Sequence, residues 1–433
     1  MDTAAISQFR ESVYQNLLDL ITDTGIRASG KDEIYGCIFG RDSALTILKI
    51  LKVYKKSPSL ELLQICRKAL LTLCALQGKE TNIESGEQPG KFIHEYRTEK
   101  HEHLTGLSRK PWYIYPDGIM RNYDSLDSTP LALMAIYKYW EVTQDREFLI
   151  LALPNVEQGL NWIMTYGDAN KDSLVDYQLH ADRKHGGLAV QSWTDSHESL
   201  KGVNGLFPKY PIAPVEVQGK AWLALKLWSK FYADRSPQFA KKLSDQANRM
   251  KYVFNKLFIF KEDSLYEDGD YYFGGQAIDG EGRLIKTITA NPLICLWAAE
   301  KSKDQTECII KEEFLEGLVA RAFKPDLFDE GAGIRTMSAL SPTFNPNKDS
   351  YHNGSFWPML NGLITEGLEN FGFLHEAERL KQASLKPLFH FKTPVELYIK
   401  DHTGNFTEYL SATGQTGCRV QAWSAASVLD WLT

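Results

Sequence analysis

Phe39-Gly40-Arg41-Asp42-Ser43 runs straight into Ala44–Tyr54, Ala-Leu-Thr-Ile-Leu-Lys-Ile-Leu-Lys-Val-Tyr. The second stretch reads as a helix that is apolar on nearly all sides, so it belongs to a layer covered on both faces. The first stretch places a cation and an anion at the helix start, where water or a ligand would be met. Five more helices repeat this arrangement, starting near 131, 217, 292, 358 and 420. Each is preceded by a polar or aromatic motif. The motifs include Asn122-Tyr-Asp124-Ser-Leu-Asp127-Ser128-Thr-Pro130, Glu216-Val-Gln218, Tyr351-His352-Asn-Gly-Ser-Phe-Trp357-Pro358 and Gln421-Ala-Trp423-Ser424.

Between them lies a second set, starting near residues 4, 59, 147, 237, 312 and 374, with apolar positions on one face only. The first of these places Ile6, Phe9, Val13, Leu17, Leu20 and Ile21 on one side. Ser59 is placed to cap its helix. Alternating buried and amphipathic helices suit six hairpins around an axis, all six inner N-termini opening at one mouth. The expected fold is therefore all-α, an (α/α)6 barrel or six-hairpin toroid with long loops at its mouth. One small β-hairpin is expected around Asp279-Gly-Glu-Gly282. No linker or composition shift breaks the chain, so residues 1–433 read as a single domain. A linear helical solenoid is the alternative arrangement.

The longest non-helical stretch ends at Pro214 and contains Gln191-Ser-Trp193-Thr-Asp195-Ser-His-Glu198. Loops of that length in compact proteins are mostly functional or disordered, and this one is too rich in Trp and Gly for disorder. An indole two residues before a carboxyl group suggests an acid held against an aromatic wall. The expected mouth carries Asp42, Asp127, Asp195, Glu216 and Glu408, with Trp112, Trp193, Trp357 and Trp423. Carboxylates accept from hydroxyl groups and aromatic faces stack on pyranose rings, so a neutral, hydroxyl-rich ligand fits.

Hydrolysis of a glycoside needs one protonated and one ionised carboxyl group. Asp195, beside Trp193 and near other anions, reads as the acid. Glu408, in Gly404-Asn-Phe-Thr-Glu408-Tyr, reads as the base. If it activates water, the pair stands about 6.5–9.5 Å apart and the product is inverted.

These motifs resemble the amylo-α-1,6-glucosidase family, the C-terminal glucosidase domain of glycogen debranching enzymes, and more distantly the glucoamylases. Gly40-Arg41-Asp42-Ser43, Trp193-Thr-Asp195, Tyr351-His352-Asn-Gly-Ser-Phe-Trp357-Pro and Cys418-Arg-Val-Gln421-Ala-Trp423-Ser carry the resemblance. It implies an inverting glycosidase on an (α/α)6 barrel, with Asp195 as general acid. It also implies that Arg41 and Asp42 grip the terminal sugar, with Asp124, Asp127, Arg335, His352 and Gln421 among the binding residues. Two glutamates match the family's base, Glu396 in Pro394-Val-Glu-Leu-Tyr and Glu408, of which the spacing to Trp423 favours Glu408.

The implied activity is exo-acting release of terminal glucose from an α-glucoside. No transferase domain or β-sandwich accompanies it, so a small glycoside such as glucosylglycerate, trehalose or sucrose is the alternative substrate. A sugar epimerase or isomerase, or a carbohydrate-binding protein without catalysis, are rival readings of the same toroid.

The remaining signals bound this reading. Forty-nine basic against 55 acidic residues give a net charge of −6, which argues against nucleic acid and anionic membranes as partners. A monomer or small homo-oligomer acting on a small molecule or oligosaccharide is expected. The six cysteines lack metal spacing and read as reduced thiols. The N-terminus lacks a signal-peptide pattern and no run would span a bilayer, so a cytoplasmic location is expected. No cofactor or metal is expected. Asp168–Asp176 lacks the Gly and Glu of a calcium-binding EF-hand, and His94, His101 and His103 fit no standard zinc site.

Overall fold

The computed structural model describes residues 3–106, 108–202, 205–262, 266, 271–302 and 305–433. Thirteen α-helices occur among them. In chain order they are α1 (Thr3–Asp19), α2 (Gly40–Lys56), α3 (Leu60–Ala75), α4 (Glu102–Thr105), α5 (Ser128–Thr143), α6 (Arg146–Met164) and α7 (Val215–Tyr232). There follow α8 (Pro237–Leu257), α9 (Ile294–Trp297), α10 (Leu315–Ala322), α11 (Pro358–Asn370), α12 (Leu374–Phe391) and α13 (Ala422–Leu432). The β-structure is confined to two- and three-stranded sheets. None of the described helices is long and apolar enough to cross a membrane.

The chain divides into two compact units. One comprises residues 1–170, 177–197 and 420–433, and the other residues 171–176 and 198–419.

In the first unit α5 and α13 both pack on α2, with α1 against α13, α3 against α2 and α5, and α6 against α5. Burial separates the layers as the sequence pattern predicts: ten of the eleven residues of α13 are buried, but only Phe9, Val13 and Leu17 of the seventeen in α1. In the second unit α7 packs on α8, and α11 on α9 and α12. Fifteen of eighteen residues of α7 are buried against seven of twenty-one of α8.

Local chemistry sets the helix starts. The Ser59 hydroxyl accepts from the Leu62 N–H at 3.4 Å, and Asp145 accepts from the Phe148 N–H at 2.9 Å. Asp127 occupies the cap position of α5 without capping it. Its carboxylate turns instead to Arg41 and to the Ser125 hydroxyl.

The helix expected over 293–301 is shorter. A 3-10 turn, Asn291–Leu293, leads into α9, and the chain then pairs Glu300–Lys301 with Thr306–Glu307. Strand pairing takes the backbone groups that a further helical turn would have used. The hairpin expected around residues 279–282 forms, joining Ala277–Ile278 to Leu284–Ile285. The six cysteines are unbonded and five are buried.

At the C-terminal end of α2, Lys49, Lys52 and Lys56 converge on Asp430 of α13 at 3.3, 2.9 and 3.0 Å. Burial alone would raise the Asp430 pKa, but the three ammonium groups outweigh it and hold the carboxyl below the usual range. A depressed folded-state pKa stabilises the fold above the unfolded value and loses that contribution as pH falls through the folded one. Asp430→Asn leaves Lys49 buried opposite no charge. The expected cost is about 3 kcal/mol in denaturant unfolding at neutral pH, shrinking as the pH is lowered below about 4. An unchanged midpoint at pH 7 would remove this role.

Candidate active site

The N-terminus of α2 is pressed against the strand Glu95–Arg97, itself paired with Ile38–Phe39 and Met120–Asn122. The approach requires glycine: a Cβ on Gly40 would lie 2.0 Å from the Ile93 carbonyl oxygen. The Gly40 N–H donates to the His94 carbonyl at 2.9 Å, which fixes the first turn of α2 and with it Arg41 and Asp42.

Arg41 is buried. It donates to Asp195 Oδ2 at 2.7 Å, to the Ser192 carbonyl at 2.9 Å and to Asp127 Oδ1 at 3.3 Å. One guanidinium thus joins three chain segments, with its flat fork facing two carboxylates. The Trp423 ring lies beside it, 6.0 Å from Cζ to centroid. Asp42 is buried next to Arg41, and the Gln421 amide donates to its Oδ1 at 3.3 Å. The backbone of Gln421 is tied down by a bridge to Ser29, and the Ala422 N–H donates to the Ala28 carbonyl at 2.8 Å.

Charge explains the titration of this cluster. Three carboxyl groups, Asp42, Asp127 and Asp195, share one guanidinium. Burial pushes Asp42 up to about 7, opposed by Arg41 and reinforced by Asp195 and Asp127. Burial likewise raises the Asp195 pKa, against the pull of Arg41 and with the help of Asp127. The Asp195 side chain keeps 23% exposure, so this carboxyl group can still be reached. Arg41 is desolvated, yet its three acidic neighbours keep it charged. Burial and the nearby Arg41 hold His94 well below its ordinary pKa, so its imidazole is neutral. That ring packs edge-on against Phe39 at 5.3 Å.

Asp124 has a different setting. Arg183 clamps it bidentately at 2.8 and 2.9 Å, and Asn122, Leu188 and Gln191 donate to it at 3.0, 3.1 and 3.3 Å. Five donors fill the lone pairs of a carboxylate. Asp124 therefore anchors the loop that leads to Asp195. Arg183 was invisible to pattern reading, because a loop arginine carries no periodicity. Trp193 is buried behind Asp195, and Trp112 is half-buried in a separate loop of the same unit.

The second unit gathers another group of expected residues. His352 stacks on Trp357 at 5.1 Å and 14° between planes, and the Trp357 indole N–H donates to Ser355 Oγ at 2.9 Å. Glu396 is 1% exposed. The Tyr351 hydroxyl donates to its Oε1, and the Cys418 N–H donates to its Oε2 at 2.7 Å. Glu408 ends the strand Phe406–Glu408 and is exposed. Of the two glutamates only Glu396 is buried and oriented by hydrogen bonds.

Arg335 lies 3.7 Å from Asp329 and over the Phe356 ring at 5.3 Å, and desolvation lowers its pKa. Glu216 is fully buried in the first turn of α7. Among the described residues no group of three or more His, Cys, Asp or Glu is arranged to hold a metal ion.

No curated protein matches the chain. Solved structures do. A GH63 mannosylglycerate hydrolase from Thermus thermophilus in complex with glucose is similar with TM-score 0.65 and 15% identity, over 98% of this chain and 100% of that one. A metal-independent α-mannosidase from Streptococcus pneumoniae, in a non-productive complex with α-1,6-mannobiose, gives 0.60 and 14%, over 100% and 95%. A wild-type glycosidase gives 0.58 and 12%, over 100% and 98%. At these identities the likeness establishes the fold. The family model "Amylo-alpha-1,6-glucosidase" matches residues 111–430, a span that contains Asp124, Asp195, Glu396 and Gln421. Arg41 and Asp42 precede it but are bonded to residues within it. The chain belongs to the amylo-α-1,6-glucosidase family and is a glycoside hydrolase.

Proposed function

We propose that the chain is an exo-acting, inverting hydrolase of short α-glycosides that releases a terminal glucose. Asp195 is the general acid and Glu396 the general base. The observation that carries this reading is the single guanidinium of Arg41 set among three carboxyl groups, Asp42, Asp127 and Asp195. Burial and the charge of Asp127 raise the Asp195 pKa, the direction that proton donation needs. Arg41 occupies Oδ2 of Asp195, which leaves Oδ1 to donate to the glycosidic oxygen.

The base must be ionised and aimed. Glu396 is aimed by the Tyr351 hydroxyl and the Cys418 N–H. The role assigned from spacing to Glu408 therefore passes to Glu396, because Glu408 is exposed and a solvated carboxylate has no fixed direction. Arg41, Asp42 and Gln421 hold the terminal sugar and Trp423 walls it. Asp127 fixes Arg41, and Asp124 fixes the acid loop. Arg335, His352, Trp357 and Glu216 are further sugar-binding candidates, on the strength of the family motifs.

The alternation of apolar and amphipathic helices and the full-length likeness to solved glycosidases support the six-hairpin glycosidase fold. The family model supports glucose in the terminal position. The mannosylglycerate hydrolase and mannosidase likenesses make mannose the second sugar to test.

Asp195→Asn is expected to lower kcat about a thousandfold on alkyl glycosides and disaccharides. Its loss on α-glucosyl fluoride should be far smaller, because fluoride leaves without a proton. Equal loss on both substrates would remove Asp195 as the acid.

Glu396→Gln should abolish hydrolysis of both, since each needs activated water, and Glu408→Gln should leave both near the original rate. The reverse pattern would return the base role to Glu408. The sugar first released should have the inverted anomeric configuration by NMR, and retention would exclude a general base altogether.

The pH dependence follows from the sign of the Asp195 shift. A raised pKa keeps the acid protonated through the ordinary carboxylate range, and activity is lost as pH rises past it. Asp127→Asn removes a like charge, so the alkaline limb of kcat/KM should move to lower pH. A limb that stays in place or moves upward would break the link between Asp127 and the acid.

A further inference from the structure

We propose that Trp112, Tyr113 and His185 form a shelf for the leaving group, and that the shelf is built for a second sugar ring. The inference rests on Asp195 being the acid and deepens that reading by naming the aglycone.

Pro111-Trp-Tyr-Ile-Tyr115 is a run of large side chains in a loop, tied to α4 by the Trp112 N–H, which donates to the Leu104 carbonyl at 3.1 Å. Trp112, Tyr113 and Tyr115 are half-buried, and Ile114 is 37% exposed. The run is nevertheless held firmly. Tyr113 meets His185 edge to face at 5.2 Å and Tyr115 at 5.1 Å. The Tyr115 hydroxyl bonds to Glu87 at 2.5 Å and to Ser85 at 2.8 Å, and Arg121 lies over its ring at 4.9 Å.

The acid loop lies against this run. The Gly186 N–H donates to the Pro111 carbonyl at 2.8 Å, and a Cβ on Gly186 would come within 2.7 Å of the Trp112 ring. Glu84 then fixes the imidazole. Its Oε2 receives the Lys184 and His185 N–H groups at 3.0 and 2.8 Å and meets His185 Nδ1 at 2.8 Å. With Nδ1 on a carboxylate, the imidazole edge that carries Nε2 is available to a ligand, and the side chain is 39% exposed.

His185 and the acid are carried by one loop, held by two anchors three residues apart in the chain. Asp124 grips Arg183 and Leu188 at the shelf end, and Asp127 grips Arg41, and through it Asp195, at the other. The terminal-sugar residues Arg41, Asp42 and Gln421 gather at the acid end. A glycoside bound there with its bridging oxygen on Asp195 directs its aglycone back along the loop. Half-exposed aromatic faces with a fixed imidazole edge suit a pyranose, which offers an apolar face and hydroxyl groups. An acyclic acid such as glycerate has no ring face to place on them.

The test compares kcat/KM on α-linked glucobioses, glucosylglycerate and α-glucosyl fluoride for the wild type, His185→Ala and Tyr113→Ala. Circular dichroism checks that each variant is folded. Loss of one such contact should lower the glucobiose-to-fluoride ratio about tenfold. Three results overturn the proposal: no change in that ratio, equal loss on all three substrates, or loss confined to glucosylglycerate. A wild type that hydrolyses none of them, nor the matching mannosides, overturns the functional reading itself. A working wild type with an unmoved ratio overturns only the shelf.

Discussion

The Arg41 guanidinium is the point on which the first unit depends. A buried arginine is costly unless each face of its fork is matched. Here the match comes from Asp127 at the start of α5, and from the Ser192 carbonyl and Asp195 in the long loop. The helical frame and the long loop are thereby tied to one residue of α2. The same tie sets the electrostatics, because one positive charge stands against three carboxyl groups. Burial and their mutual repulsion raise the pKa of Asp42 and Asp195. Structure and acidity have the same cause.

That dependence also explains which parts of the chain could be read in advance. Inner helices such as α2, α5 and α7 are apolar on nearly all sides, and in a chain with no membrane-length apolar run a layer covered on both faces accommodates that. Their partners show one apolar face, and the burial of α1 and α8 follows it. The motif before each inner helix was legible for the same reason, since polar residues beside an apolar helix need an explanation. Asp42, Asp127, Asp195 and Gln421 did come together in one cluster.

What the sequence concealed was partnership. Asp124 and Asp127 look equivalent on paper, three residues apart in one acidic motif. Arg183 clamps the first bidentately, while Arg41 makes one bond to the second, and nothing local distinguishes the two arginines. Glu396 and Glu408 pose the same problem. Both stand in Glu-aromatic contexts before Gln421-Ala-Trp423, and only folding shows which one is buried beneath Tyr351. Helix α9 was overestimated because the strand that replaces its last turns is stabilised by a partner on the other side of a loop.

The two ends of α2 show how the fold divides its charge. Anions near a helix N-terminus are favoured by the unpaired amides, which lower a carboxyl pKa. Asp42 lies in that first turn and is still raised to about 7. Burial and neighbouring carboxylates must therefore outweigh the helix field as well as Arg41. At the opposite end, Lys52 and Lys56 add favourable cations to a helix C-terminus and, with Lys49, neutralise Asp430. Asp430 itself sits near the C-terminus of α13, where an anion is disfavoured. Cations in excess make that end a fastening with a depressed pKa. Carboxyl groups in excess raise the pKa values at the other end. The opposite sign of the imbalance separates the two ion clusters built on the same helix.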